Sequence, residues 1–401
     1  MINRRWARLA TLTAAATLVV TGSAMTAAAQ SPGAPAGSAG TACADTSVST
    51  PEVEAGKFNV AMVLIGPHND AGWSQAHYEG LQYICTHVPD THIAFVEGVL
   101  EADSEPVFRS LARAGFDLII GTSFGYQDYM ETLADEFPNQ TFLILTGFKS
   151  NGGNFGNLMG AMEDFKYLAG MVAGSRAKLD GNQKLGYMAT FGIPEEVRLG
   201  NAIMLGAKQT CPDCTMDIRW IGTWHDPALE TEGAASLFDA GAQVVFTGAD
   251  TPANATVAQE KNKWAVTYDH PSSCTLASCL TAPYWIWGPE YAKIAEAVKA
   301  GTYKGGDDYF DADSKSMGLY GFMDGQTPQP GIADLPAEDV AKVKDTLTKM
   351  LAGEFDRFDV FAGPIKDNTG TERVAAGAQL TQADLTGMNW LVEGINGTIP
   401  N

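Results

Sequence analysis

Positive charge is what this 401-residue chain has least of. It carries 26 Lys and Arg against 47 Asp and Glu, a formal net charge of −21. That sign argues against polyanionic partners, so no nucleic acid or anionic lipid is expected to bind. Histidine is also scarce. The six are His68, His77, His87, His92, His225 and His270, and no pair has i, i+4 spacing with a third acidic ligand. No metal and no cofactor are expected on that pattern. His68, His225 and His270 fall in loops after strands, whereas His77, His87 and His92 read as surface residues. Long apolar runs are missing as well. A spanning helix takes about 20 consecutive apolar residues, and no stretch of the chain supplies them.

The N-terminus reads as an export signal. Arg4, Arg5 and Arg8 form a basic start, Leu9 to Val20 a modest apolar stretch diluted by Thr, and Ala27 to Ala29 a small-residue cleavage site. Residues 1–29 are therefore expected to be a signal peptide. Residues 30–56 begin with a run of Gly, Ala, Pro, Ser and Thr, too poor in apolar side chains to offset ordering entropy, and are expected to be a flexible linker. The chain should be exported, to the periplasm or the outer face of the cell membrane.

Six cysteines in an exported chain point to disulfides. Proximity favours Cys211–Cys214 and Cys274–Cys279, with Cys43 and Cys85 left over. A redox role for Cys211-x-x-Cys214, or zinc held by the two local pairs, remains an alternative.

From residue 58 onward, strand and helix patterns alternate. Strands are expected at 58–65, 93–96, 117–121 and 141–145, each a short apolar run of the kind buried on both faces. Helices are expected at 73–86, at 104–114 with Asp103 as its cap, and at 126–136. A Gly- and Asn-rich pause at 147–156 precedes a long helix over 164–178. A second series follows, with strands at 184–189, 215–221, 242–247 and 263–267. Its helices begin near Glu195, Pro227 and Pro252. Further helices are expected at 289–301 and 336–353. Such alternation implies parallel sheets with right-handed crossovers. The fold class is α/β, with two Rossmann-like parallel-sheet lobes joined by a hinge. The first lobe takes 57–162 with about 285–325, the second 163–284 with about 326–401.

In open parallel sheets, ligands sit beyond the carboxyl ends of the strands. Those positions are rich in aromatics and carboxylates here. They include Asn69, Asp70 and Trp73 after the first strand, and Ser123, Phe124 and Tyr126 after the third. The second lobe contributes Trp224, Asp250, Thr251 and Asp269, and Trp287 lies near the return crossing. Indole and phenyl faces stack on flat rings, for about 1–3 kcal/mol per base. Ionised Asp accepts from ring N–H, amine or hydroxyl donors. A flat, nitrogen-rich small molecule is the expected ligand.

The motifs Gly66-Pro-x-Asn-Asp-x-Gly-Trp73, Thr122-Ser-Phe-Gly-Tyr126, Gly192-Ile-Pro-Glu-x-x-Arg198, Gly222-Thr-Trp-x-Asp-Pro227, Trp287-Gly-Pro-x-Tyr291 and Phe361-Ala-Gly-Pro-Ile365 occur in order. This series, from about residue 57 to the C-terminus, resembles the basic membrane protein family of ABC-transporter substrate-binding proteins. The resemblance implies the type I periplasmic-binding fold and a purine base or nucleoside as ligand, adenine-like for this variant. It implies an ABC permease and ATPase as partners, for a chain expected to act as a monomer. Trp73, Phe124 and nearby Tyr126 would face the ligand from the first lobe. Trp224, Asp250 and Asp269 would face it from the second, and Trp287 would sit near the hinge. One departure concerns anchoring. Many members carry a lipid-modified Cys right after the signal, whereas the first Cys here is Cys43.

Two rivals stand beside this reading. Gly121-Thr122-Ser123-Phe124-Gly125 matches the nucleophile elbow of α/β-hydrolases, with Asp250 or Asp269 and His270 following in chain order. Against it, no Gly-rich oxyanion loop with a His precedes the motif, and a hydrolase sheet is not split in two. The other rival is a sensor that passes the closed, liganded state to a membrane receptor.

Overall fold

The computed structural model describes residues 51–400. In the first series, β1 (Phe58–Val63), α1 (Trp73–His87), β2 (Thr91–Val96), α2 (Ser104–Ala114), β3 (Leu118–Gly121), α3 (Gln127–Glu136), β4 (Thr141–Leu145) and β5 (Phe155–Gly160) alternate. Helix α4 (Met162–Leu179) leads to the second series. It holds β6 (Lys184–Ala189), α5 (Pro194–Lys208), β7 (Thr215–Trp220), α6 (Pro227–Asp239), β8 (Val244–Thr247), α7 (Ala253–Glu260), β9 (Trp264–Val266) and β10 (Cys279–Thr281). Then come β11 (Pro283–Trp285), α8 (Gly288–Lys299), β12 (Asp307–Phe310) and β13 (Met317–Leu319). The remainder holds α9 (Pro330–Ala333), α10 (Ala337–Leu351), α11 (Arg357–Val360), β14 (Ile365–Lys366), β15 (Glu372–Val374), α12 (Gln382–Thr386) and β16 (Ile395–Asn396).

Two six-stranded sheets result, ordered β12-β5-β4-β3-β1-β2 and β10-β9-β8-β6-β7-β16. Every pairing within them is parallel. The two orders are the same doubly wound pattern used twice. Each reverses direction at its first strand, β1 or β6, and so has its own switch point. All six residues of β1 are buried, as a strand covered by helices on both faces requires. The chain passes between the sheets after β5, after β10 and after β12. Helix α4 makes the first passage and is buried almost all round, including Glu163, Asp164 and Lys166. Glu163 is paired with the equally buried Arg198 of α5 at 3.0 Å.

Most expected elements are present within a residue or two. Four strands of the two six-stranded sheets were not expected, namely β5, β10, β12 and β16. Strand β5 reads Phe-Gly-Asn-Leu-Met-Gly, a composition with little strand propensity. It is nonetheless an interior strand, between β12 and β4, and Gly156 lets the returning segment come close: a Cβ there would stand 2.0 Å from the Tyr303 hydroxyl. Asp103 precedes α2, but its side chain makes no capping bond; the short turn at Glu101–Asp103 leads directly into the helix.

Cys211–Cys214 and Cys274–Cys279 are both disulfides, so neither pair offers thiolates to zinc. Cys43, the signal peptide and most of the linker lie outside the described residues. No described helix is long and apolar enough to cross a membrane.

Candidate functional site

A narrow cavity lies between the two sheets. Its walls are built from strand exits. Ile65 and Trp73 follow β1, Ser123 and Phe124 follow β3, and Thr146 follows β4. From the second sheet, Glu195 and Glu196 follow β6, Trp224 follows β7, Gly248 and Asp250 follow β8, and Tyr268 and Asp269 follow β9. Both switch points therefore open into one space.

The wall is aromatic on both sides. Trp73 is locked in place by its indole N–H, which donates to the Thr122 carbonyl at 2.6 Å. Behind it stand Trp285 and Trp287, stacked at 4.4 Å, with Trp73 edge-on to both. Opposite, Trp224 rests against Phe191 at 5.1 Å.

Between these rings sit carboxyl groups removed from water. Asp269 is 1% exposed and holds a left-handed backbone, φ +68°, which costs an ordinary residue energy. Its Oδ1 accepts the Trp285 indole N–H at 3.0 Å. Burial pushes its carboxyl well above the usual range, against the pull of Lys166 and of that indole bond. Asp250 is pushed up by burial first, then by Asp269, Asp70, Glu230 and Glu196. Burial likewise raises Glu195 to about 8 and lifts Glu196, whose oxygen accepts from the Thr190 N–H and the Tyr187 hydroxyl. The cation behind this wall is Lys166. It donates to the Thr247 carbonyl at 2.9 Å, lies 3.2 Å above the Tyr268 ring, and is lowered by burial to about 8. The cavity is thus lined by carboxyls that accept from N–H and O–H groups and, where burial keeps them protonated, also donate, a wall suited to a neutral ligand bearing both donors and acceptors.

The two lobes touch across this space. Glu101 Oε1 accepts from the Ser123 hydroxyl and the Gly125 N–H in its own lobe, both at 2.7 Å, and from the Trp224 indole of the other lobe at 3.2 Å. Glu79 on α1 pairs with His270 at 3.1 Å. Burial works against the Glu79 charge, but the His270 contact and the Gln75 hydrogen bond together hold the carboxyl low. Gly72 comes so close to the Asp250 carbonyl that a Cβ would stand 1.8 Å from it.

Of the predicted residues, Trp73, Ser123, Phe124, Trp224, Asp250 and Asp269 line the cavity together. Five stand elsewhere. Asn69 is exposed. Asp70 is occupied at the start of α1, accepting from Gly72, Ser74 and Gln75 N–H groups. Tyr126 is fully buried behind β3, with its hydroxyl on the Val99 carbonyl. The Thr251 hydroxyl donates to Glu230. Trp287 is a second row behind Trp73. His77 corrects a surface expectation. It is fully buried on the α1 face that meets α8, stacked on Trp287 at 4.7 Å and bonded to the Tyr291 hydroxyl at 2.5 Å. Burial holds its ring well below the usual pKa.

Sequence reasoning passed over Ile65, Thr146, Glu195, Glu196 and Glu101. The first four obey the strand-exit rule already in use and were within its reach. The hydrolase arrangement does not assemble. Ser123 donates to Glu101, while His270 contacts Ser272 through Nδ1 and Glu79 through Nε2.

Comparison with known proteins agrees with the two-sheet fold. The family model for ABC transporter substrate-binding proteins of the PnrA-like type matches residues 57–342. A purine-binding protein of Brucella abortus is 31% identical over 350 residues, covering 86% of this chain and 94% of that protein. A putative ABC transporter glucose-binding protein of Haloferax volcanii is 30% identical over 349 residues, covering 86% and 81%. The crystal structure of an ABC transporter solute-binding protein from Aeropyrum pernix superposes with a TM-score of 0.64 at 16% identity, covering 79% of this chain and 94% of that one, a likeness of fold.

Proposed function

The chain belongs to the PnrA-like family of ABC transporter substrate-binding proteins, which bind and do not catalyse, and we propose that it captures a purine base or purine nucleoside outside the cytoplasm for an ABC permease and ATPase. The observation that carries this reading is the cavity wall. Trp73 and Phe124 face it from one sheet, Trp224 and Tyr268 from the other, with Asp250 and Asp269 between them. Flat rings fit the aromatic faces. Ring N–H and exocyclic amine groups fit the carboxyl oxygens.

A nucleoside's sugar would extend into the adjoining groove, which shares Ile65 and Trp224 with the cavity and is also lined by Glu101 and His225. The Brucella relative, named for purine binding, supports the ligand class. The Haloferax relative, named for glucose binding, supplies the rival.

Calorimetry with adenine, guanine, hypoxanthine, their nucleosides and glucose tests the reading. A purine should bind with micromolar affinity or better, about −8 kcal/mol. Glucose binding with no response to any purine would overturn the assignment.

A further inference from the structure

Beside the aromatic cavity, and sharing Asp250 with it, one group of side chains leaves a buried oxygen and a buried nitrogen without partners. Asp70 follows β1, His225 follows β7 and Asp250 follows β8. One donor atom from each lies within 4.8 Å of the other two. Asp250 is 5% exposed, and its Oδ2 has no hydrogen-bond partner. The Nδ1 of His225 is buried and equally unpartnered. Asp70 is fixed by backbone donors. Its Oδ1 accepts from Gly72 and Gln75, and its Oδ2 accepts from Ser74 at 2.9 Å. Each carboxylate oxygen has two lone pairs, so Oδ2 keeps one available. The bare Cα of Gly66 marks where these groups converge. A Cβ there would stand 3.4 Å from both Asp70 Oδ2 and His225 Nδ1.

A buried polar atom left unpaired costs about 1–3 kcal/mol, and two carboxylates brought together repel. A cation would satisfy the orphan oxygen and the orphan nitrogen at once. We propose that Asp70, His225 and Asp250 form a zinc-type divalent-cation site that ties the two lobes together beside the ligand cavity. Imidazole with carboxylates is a donor set that suits zinc, and three protein ligands leave a fourth position for water. The spacing rule applied to the sequence looks along one helix. These three ligands come from three loops, so that rule passes over them.

The site is complete only while the lobes are together, because Asp70 belongs to one sheet and the other two ligands to the other. The ion therefore favours the closed form, and by linkage it tightens binding of whatever ligand also favours that form.

The test is calorimetric titration of zinc chloride into protein stripped with a chelator and free of purine, with stoichiometry read by native mass spectrometry. One equivalent should bind tightly to the wild type. His225→Gln should weaken it at least tenfold. His225 is partly exposed and is the substitution least able to disturb folding; Asp250→Asn is the second, checked by its melting curve. Zinc that binds His225→Gln with unchanged stoichiometry and affinity would place the ion elsewhere, for example on His92 and Glu54, and overturn the proposal. Absence of a stoichiometric equivalent in the wild type would do the same. Purine affinity of the wild type is measured separately with the chelator present, so failure of the zinc site and failure of the purine assignment are read apart.

Discussion

The Trp224 indole of the second lobe donates to Glu101 of the first at 3.2 Å, and the same Glu101 oxygen accepts the Ser123 hydroxyl. One carboxylate thus joins the rim of both lobes and fixes the plane of a cavity-lining ring. Trp224→Ala removes the ring and the bond together. If Trp224 stacks on a base, affinity should fall by about 1–3 kcal/mol, roughly 5- to 150-fold. Trp224→Phe keeps a ring face and loses the N–H. A Phe variant as weak as the Ala variant would assign the effect to the Glu101 bond, and unchanged affinity in both would remove Trp224 from the site.

The lining carboxyls set a charge rule for ligands. Glu195, Glu196, Asp250 and Asp269 surround the space, with Lys166 behind them. A phosphate brought here would be desolvated among acceptors. Adenosine monophosphate should therefore bind at least 100-fold more weakly than adenosine or adenine in the same calorimeter cell. Comparable affinities would mean that the sugar side of the ligand stays in water, outside the acidic wall.

What the sequence showed and what it hid follow one physical division. The central strands β1, β3, β4, β6 and β8 are buried on both faces, and that burial writes itself as a short apolar run. The edge strand β12 is Asp-Asp-Tyr-Phe with its two acids exposed. Strand β16 is two residues long. Such edges are defined by where a distant segment returns, and no local pattern announces it. The site divides in the same way. Trp73, Phe124, Trp224, Asp250 and Asp269 stand just past strands or at the start of the helix that follows. Glu101 looks like any surface acid until the fold brings it to Ser123 and Trp224. Asp70 reads as a residue facing the small molecule, but it stands off the cavity wall, where backbone donors of the first turn of α1 hold it.

Stability should depend on pH in a direction set by the buried groups. Glu195 has its carboxyl raised to about 8 from an ordinary 4.5. The folded chain then holds this proton more tightly than the unfolded chain does. The contribution is complete below about 4.5 and is lost as pH rises towards 8. Asp250 and Asp269, raised by burial, act in the same sense. Lys166, lowered to about 8 from 10.5, acts oppositely between those values, because there the unfolded chain binds the extra proton. Unliganded protein should therefore reach a stability minimum near pH 8. Melting temperatures from pH 5 to 10 check this. Glu195→Gln should flatten the acid limb and Lys166→Met the alkaline limb; a profile unchanged by both would refute the assignment.

Closure itself can be tested at Gly72. Its position against the Asp250 carbonyl leaves 1.8 Å for a Cβ, and neither neighbour is the free end of a flexible side chain. Asp250 N–H is bonded to the Trp224 carbonyl, so the second-lobe loop cannot retreat without moving the aromatic wall. Gly72→Ala should hold the lobes apart while leaving each sheet and its helices intact. Ligand affinity should drop at least tenfold with the melting temperature of the unliganded protein nearly unchanged, and small-angle scattering should report a larger radius of gyration. An alanine variant that binds as tightly as the wild type would show that ligand capture does not need the Gly72–Asp250 contact. In that case the Glu79–His270 and Glu101–Trp224 contacts would be sufficient to keep the cleft closed.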